Sequence, residues 1–194
     1  IDNPLIVADR PWEDKGVGGC YVLFDEQENL FKMWYNVFNY VAWKNEEDHC
    51  YTYWICFAES QDGLNWDKPE LGIIEYEGST KNNLIMQGDW WATLGTVLKD
   101  NDAEDPARRY KTVVPNEGVA VSPDGIEWSM VPGVGGVQTA DEQNLSFDPE
   151  TGQFILTVKR GNRHGRAVAL ATSSDFAHWD DYGVVFGADD VKPA

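Results

Sequence analysis

The chain has 194 residues and a mass of 21.9 kDa, enough for one domain, or at most two small ones, with a real core. Asp and Glu number 33 against 15 Lys and Arg, and the net charge of −18 argues against nucleic acid or an anionic membrane as a partner. The apolar run 53–58 is far shorter than the roughly 20 residues of a membrane helix, so no spanning segment is predicted.

The chain begins at Ile1, and nothing near this residue has the basic-then-apolar form of a signal peptide. Because the start is compatible with processing, localisation is left open, with secretion or a periplasmic location as alternatives. The three cysteines, Cys20, Cys50 and Cys56, lack the spacing of a metal or redox site and are interpreted as small buried apolar residues. We therefore predict no metal and no cofactor.

One element recurs three times along the chain and reads A-x-S-x-D-[G/F]-x-x-W. Its copies are 58–66, 120–128 and 171–179. Ser and Asp side chains at such positions bond to backbone N–H groups of a tight turn, so we expect Asp62, Asp124 and Asp175 to be structural. The copies are 62 and 51 residues apart, close to the period of a propeller blade with insertions.

Each copy is preceded by two apolar stretches that a short linker joins. The pairs are 21–25 with 30–35, 96–100 with 109–113, and 145–148 with 153–158. Their alternating pattern, rich in β-branched and aromatic residues, predicts hairpins. A third strand leads into each turn, and a fourth follows the Trp, most clearly at 73–76 and 182–186. The segment 36–47 has no sustained helical stripe and is predicted to be a long loop.

Four antiparallel strands per repeat predict an all-β protein made of propeller blades, with a β-solenoid or tandem sandwiches as alternatives. We place the blades at about 16–80, 90–135 and 141–190, within one partial domain 1–194. Propellers close with four to eight blades, so three leave open sheet faces. We expect a fragment of a longer protein, a homodimer that closes the ring, or an open assembly that needs a partner.

The opening segment 9–13, the Ser-x-Asp-Gly-x-x-Trp turns and the Phe-Asp-x-x-x-x-x-Phe hairpins resemble the five-bladed β-propeller glycoside hydrolases. That superfamily includes invertases, levansucrases, arabinanases and β-xylosidases, and the resemblance spans essentially the whole chain. It implies a carbohydrate partner and a central funnel with three acidic residues from different blades. One activates water or attacks the sugar, one orients the substrate, and one protonates the leaving oxygen.

The resemblance implies that these acids lie before the first strand of each unit. Asp141, ahead of the strand that runs to Asp148, is similar to the third-blade acid that positions substrate, with a solvated loop carboxylate as the alternative. Glu13 and Asp14 correspond to the first-blade base or nucleophile, and one of them is expected across the funnel from Asp141. The Glu that serves as general acid is expected beyond the last residue of the chain.

Aromatic side chains supply candidate sugar contacts. The 25 aromatic residues are too many for the core alone, and exposed rings suit the faces of sugars. We include Trp12 of the opening segment and the pair Trp90 and Trp91. Because neighbours in a strand point to opposite faces, one of that pair is predicted to face the funnel.

Basic residues cluster at 159–166 in this otherwise acidic chain, and the cluster includes Arg160 and His164. It is interpreted either as a charged turn or as a site for a uronic acid, a sulfated sugar or phosphate. The predicted function is glycoside hydrolase-like action on a carbohydrate by paired carboxylates. A non-catalytic carbohydrate-binding or assembly module and a glycoside phosphorylase are the alternatives.

Overall fold

The computed structural model describes residues 4–13, 16–39, 52–88, 94–132, 139 and 143–188. Within these ranges the regular structure consists of twelve β-strands and the short 3₁₀ turns Pro11–Glu13 and Pro106–Arg108. The strands form three four-stranded antiparallel sheets, each the architecture of one propeller blade. The predicted all-β fold class is therefore confirmed.

In each sheet, strands that are neighbours in sequence pair with one another. The first sheet contains β1 (Val17–Asp25), β2 (Leu30–Asn39), β3 (Thr52–Ser60) and β4 (Leu84–Gly88). The second contains β5 (Leu98–Lys99), β6 (Tyr110–Val114), β7 (Gly118–Ser122) and β8 (Ser129–Met130). The third contains β9 (Gln143–Asp148), β10 (Gln153–Asn162), β11 (Gly165–Ser173) and β12 (Asp180–Gly187). The predicted hairpins and the predicted fourth strand of the last unit are confirmed.

The first sheet corrects two predictions. Its fourth strand is β4, whereas 73–76 forms only an isolated bridge between Tyr76 and Ser79. The segment is apolar because Ile74 and Tyr76 cover the core of this sheet from outside the ladder. The predicted loop 36–47 is wrong over its first four residues, since β2 continues to Asn39 and pairs there with β3.

The chain divides into two compact units, one comprising 1–94 with 124–128 and the other 95–123 with 129–194. The single domain 1–194 and the three blade boundaries stay predictions. The core of the first unit is built from residues of β2, β3 and β4, namely Met33, Tyr35, Val37, Trp54, Cys56, Ala58 and Leu84. In the second unit the two sheets pack together around Val113, Val119, Val121, Leu145, Phe154, Leu156, Ala171, Phe176 and Trp179.

The three repeated turns have the predicted structure. Asp62 Oδ1 accepts hydrogen bonds from the backbone N–H groups of Leu64 and Asn65, both at 2.8 Å. Asp124 and Asp175 accept the equivalent pair, two and three residues further on, at 2.8 to 3.0 Å. The three acids therefore close local turns, as predicted.

The third copy of the turn replaces glycine with a buried aromatic residue. Gly63 and Gly125 follow the Asp with φ of +71° and +84°, and Phe176 holds the same left-handed conformation with φ of +61°. Its ring is completely buried, with centroids 5.1 Å from Phe154 and 5.6 Å from Trp179. Core packing in the second unit thus offsets the cost of positive φ at a residue with a Cβ.

The cysteines follow the prediction only in part. Cys56 is buried in the core of the first unit, but Cys20 is exposed. Cys20 lies in β1, which is an edge strand of its sheet, directly after a register shift between residues 18 and 20. Cys50 lies outside the described residues. Over the ranges described, no helix is long and apolar enough to cross a membrane.

Candidate functional site

Glu13, a predicted base or nucleophile, is completely buried within the first unit. Its Oε1 accepts a hydrogen bond from the Tyr35 hydroxyl at 2.7 Å, and its Oε2 accepts from the backbone N–H groups of Asp9 and Arg10 at 2.9 and 3.1 Å. Lys68 Nζ lies 2.8 Å from both oxygens. These contacts favour a structural role, in which the carboxylate holds 9–13 against the first sheet. That role differs from the catalytic one that the resemblance implies for Glu13.

The network around Glu13 continues through Tyr35 into the core. Burial is the main cause that raises the pKa of Tyr35, so its hydroxyl keeps the proton that it donates to Glu13. The same hydroxyl accepts from Asn83 Nδ2 at 2.7 Å, and Asn83 Oδ1 accepts from Trp12 Nε1 at 2.9 Å. The Trp12 ring meets Tyr76 edge to face at 6.0 Å. Trp12 is therefore partly buried by this network, and its contact with a sugar stays a prediction.

Four predicted site residues lie outside the described residues, namely Asp14, Trp90, Trp91 and Asp141. The residues two positions on either side of Asp141 are described, and both are buried. Thr139 Oγ1 donates to the carbonyl oxygen of Val114 at 3.0 Å, and Gln143 Nε2 donates to that of Val113 at 3.0 Å. Strand β6 therefore anchors the chain on both sides of this candidate acid.

Gly95 makes room for the anchor at Gln143. An added Cβ would lie 3.0 Å from the Val113 carbonyl oxygen and 3.2 Å from both Cγ and Nε2 of Gln143. The Gly95 N–H also donates to this carbonyl, at 2.9 Å. A side chain at position 95 would therefore crowd both the Val113 carbonyl and the side chain of Gln143. Within the described part of the chain, the buried Oε1 of Gln143 has no hydrogen-bond partner.

A groove of about 670 Å³ opens where β9 begins, and we call it the β9 groove. All four strands of the third sheet contribute, because the start of β9 lies beside the end of β10, the start of β11 and the end of β12. Its polar lining includes Gln143, Asn144, Thr157, Lys159 and Arg166, and its apolar lining includes Val168 and Phe186. Among the described lining residues there is no Asp or Glu.

The predicted sugar contacts Arg160 and His164 lie beside the β9 groove and not in its described lining. Arg160 Nη2 lies 2.5 Å from Asp181 Oδ2, and Nη1 lies 3.3 Å from Oδ1. Burial acts to raise the pKa of Asp181, but the bonds from Arg160 and the Gly183 N–H lower it overall. His164 is exposed in the turn between β10 and β11, where its Nε2 accepts from Arg163 Nε at 2.8 Å.

Sequence reasoning placed Lys159 and Arg166 in the basic cluster but selected Arg160 and His164 as the candidate sugar contacts. The strand register distinguishes Lys159 and Arg166 from Arg160. Lys159 pairs with Val168, which is two residues after Arg166, so Lys159 and Arg166 lie on the same face of the sheet. Sequence reasoning did not single out Gln143. Among the residues that the structure describes, no group of three or more His, Cys, Asp or Glu could hold a metal ion.

The comparisons with known proteins give a fold. No protein-family model and no curated protein matches the chain. An N-acetylgalactosamine deacetylase from F. plautii, solved in complex with blood group B trisaccharide, matches 90% of this chain with a TM-score of 0.60 at 14% identity. Over the matched part, this chain shares the fold of that enzyme. It spans 54% of the deacetylase chain, or about half.

Two further solved structures with lower similarity are described as an arabinanase and a putative glycoside hydrolase. An endo-1,5-alpha-L-arabinanase from Thermotoga petrophila RKU-1 has a TM-score of 0.47 at 12% identity. The match covers 84% of this chain and 38% of the arabinanase chain. A putative glycoside hydrolase from Parabacteroides distasonis ATCC 8503 matches 95% of this chain and 40% of its own, with a TM-score of 0.29 at 16% identity.

Proposed function

We propose that this chain is part of a carbohydrate-active protein of the glycoside hydrolase type, and that the sugar binds in the β9 groove. The position of this groove carries the proposal, because it opens at the strand start where the resemblance implies an acid. Its volume is within the range of small-ligand sites. Its lining joins amide, hydroxyl and cationic groups to apolar surface, which suits a molecule with hydroxyls on its edges and C–H groups on its faces.

Asp141 is the proposed acid of this site. The proposal is supported by Thr139 and Gln143, which hydrogen bonds anchor to β6 two positions before and after it. In glycoside cleavage, water or a carboxylate bonds to the anomeric carbon while the bond to the leaving oxygen breaks and an acid protonates that oxygen. Asp141 orients the sugar and stabilises the positive charge that develops on this carbon.

The first-blade base is the second part of the proposal. Glu13 does not fit this role, because Lys68, Tyr35 and two backbone N–H groups occupy both of its oxygens. Asp14 therefore stays the proposed base or nucleophile of the first blade. The aromatic pair Trp90 and Trp91 stays the proposed stacking surface.

Asp141→Asn tests the proposal, because the substitution keeps the size of the side chain and removes its charge. Hydrolysis of a panel of glycosides by the purified protein should fall by roughly 10²–10⁴-fold in kcat/KM, while sugar affinity in calorimetry changes only a few-fold. Asp148→Asn is the matched control, because Asp148 accepts from Glu150 and Thr151 in the turn after β9. Unchanged hydrolysis in Asp141→Asn would remove Asp141 from the mechanism.

A non-catalytic carbohydrate-binding module is the second candidate function, and the enclosure of Glu13 favours it. If the wild-type protein binds sugars by calorimetry but releases no reducing ends from any of them, this second function replaces the first. Stimulation of turnover by inorganic phosphate would instead indicate a phosphorylase.

A further inference from the structure

We infer that the β9 groove selects sugars that carry an anionic group, through Lys159 and Arg166; this inference rests on the proposed function and names its substrate class. The charge of the groove is the first observation. The chain carries 33 acidic residues against 15 basic ones, yet the described lining holds two cations and no acid. In so acidic a protein, these two cations offer complementary charge to an anionic group on the sugar, while Asp141, the proposed acid, acts at the anomeric carbon.

The strand register brings the two cations together. Lys159 lies opposite Val168, and Arg166 lies opposite Gly161, so Lys159 and Arg166 are diagonal neighbours on adjacent strands. Side chains alternate along a strand, so Arg166 shares a face with Val168 and hence with Lys159. Diagonal neighbours stand roughly 7–8 Å apart, close enough for two long side chains to contact a single carboxylate or sulfate.

The rest of this face suits a sugar ring beside the anionic group. Phe186 lies opposite Val168, and its side chain is 75% exposed, so an apolar surface adjoins the cations. Aromatic rings of this kind pack against the C–H face of a pyranose. Asn144 and Thr157 lie opposite one another in the next row and offer an amide and a hydroxyl to sugar hydroxyls. One face thus combines a charge contact, a stacking contact and hydrogen-bonding groups.

Arg160 shows why only some residues of the basic cluster are proposed to contact the anionic group. It is the next residue along β10 after Lys159, so it projects to the opposite side of the strand. Its guanidinium there forms the ion pair with Asp181. Arg160 and its ion pair thus lie outside the described lining of the groove, whereas Lys159 and Arg166 belong to that lining.

Calorimetric titration with matched oligosaccharides tests this inference. The probes are galacturonate, glucuronate and mannuronate oligomers, the same oligomers after reduction of their carboxylates to alcohols, and sulfated analogues. We expect at least one anionic probe to bind about a hundredfold more tightly than its neutral counterpart, about tenfold for each of the two cations. Lys159→Gln and Arg166→Gln should each remove about tenfold of that affinity and leave binding of the neutral oligomer within about twofold. Tighter binding of the uronate oligomers would identify the anionic group as a carboxylate, and tighter binding of the sulfated analogues would identify it as a sulfate.

Arg163→Gln is the matched control, because it removes one positive charge from the turn between β10 and β11 outside the described lining of the groove. Its affinities should match those of the wild type. Equal binding of anionic and neutral probes would overturn the inference and leave the proposed function standing, while absence of binding to every sugar would overturn both. If Arg163→Gln lost as much affinity for the anionic probes, a long-range effect of charge, and not binding in the groove, would explain the preference, and the inference would be overturned. Competition by inorganic phosphate as strong as by the uronates would make the groove a simple anion site.

Discussion

Lys68 Nζ lies 2.8 Å from each carboxylate oxygen of Glu13, and both side chains are almost fully buried. The two residues are 55 positions apart, and the pair ties the segment before β1 to the loop that follows β3. Lys68 also donates to the Val7 carbonyl at 2.8 Å and to Asp9 at 2.7 Å. The ammonium group is thus the centre from which this segment is held to the first sheet.

Replacement of Lys68 by Met should destabilise the protein by about 3–5 kcal/mol, because it leaves a buried carboxylate without its cation. Urea unfolding followed by tryptophan fluorescence measures this loss. The double variant Glu13→Gln, Lys68→Met should be more stable than Lys68→Met alone, since no uncompensated charge remains. Lys81→Met, at an exposed position, is the control and should change stability by less than about 0.5 kcal/mol. A loss of that small size in Lys68→Met would show that the ion pair does not hold this segment.

At Phe176 a glycine variant should be more stable than an alanine variant, which reverses the order found at most positions. Both Phe176→Gly and Phe176→Ala remove a buried ring. The alanine substitution should lower the free energy of unfolding by about 3–5 kcal/mol. Glycine accepts the φ of +61° without strain, so Phe176→Gly should be about 1–2 kcal/mol more stable than Phe176→Ala. Thermal or urea unfolding of the two variants gives the difference. Equal stability, or a more stable alanine variant, would show that the turn relaxes once the ring is gone.

Asp62 should make stability depend on pH below neutrality. The backbone N–H groups of Asn65 and Leu64, and then the Asn65 amide, hold the pKa of Asp62 well below its usual range. A carboxyl whose folded pKa is lowered stabilises the protein above its unfolded pKa of about 3.9, and this stabilisation is lost as pH falls toward the folded value. The stability difference between the wild type and Asp62→Asn should therefore shrink from near-neutral pH to about pH 3. A difference that stays constant over this range would contradict the assignment.

Arg160 should contribute less to sugar binding than its neighbours in the basic cluster. Because its guanidinium is paired with Asp181, Arg160→Gln should weaken binding of anionic oligosaccharides by less than about twofold, against about tenfold for Arg166→Gln. Calorimetry on the same probe measures both variants. A larger loss in Arg160→Gln would mean that the pair with Asp181 opens when sugar binds.

The fold could be predicted from sequence where it rests on local chemistry. The Ser-x-Asp turns are visible because the Asp62 side chain bonds to the backbone only two and three residues away. The hairpins are visible because alternation has a period of two. The fourth strand of the first sheet was misplaced because Ile74 and Tyr76 bury apolar surface from a loop. In sequence, an apolar segment that covers a core from a loop has the same pattern as one that pairs as a β-strand.

The candidate site was harder to predict, because residue type does not show what a side chain contacts. Glu13 looks like a catalytic acid until Lys68 and Tyr35 are seen around it. Arg160 looks equivalent to Arg166 until the register and Asp181 distinguish them. In both cases the deciding contact comes from a distant part of the chain.

By itself, the sequence determined the repeat, its turns, the antiparallel hairpins and hence the all-β class, since each follows from hydrogen bonds and side-chain alternation within a few residues. Only the tertiary structure decided which residues Glu13 and Arg160 contact and which charged residues line a groove. That decision depends on strand register and on contacts between residues far apart in sequence, such as Glu13 with Lys68. Burial makes such contacts strong, and a linear pattern does not record burial.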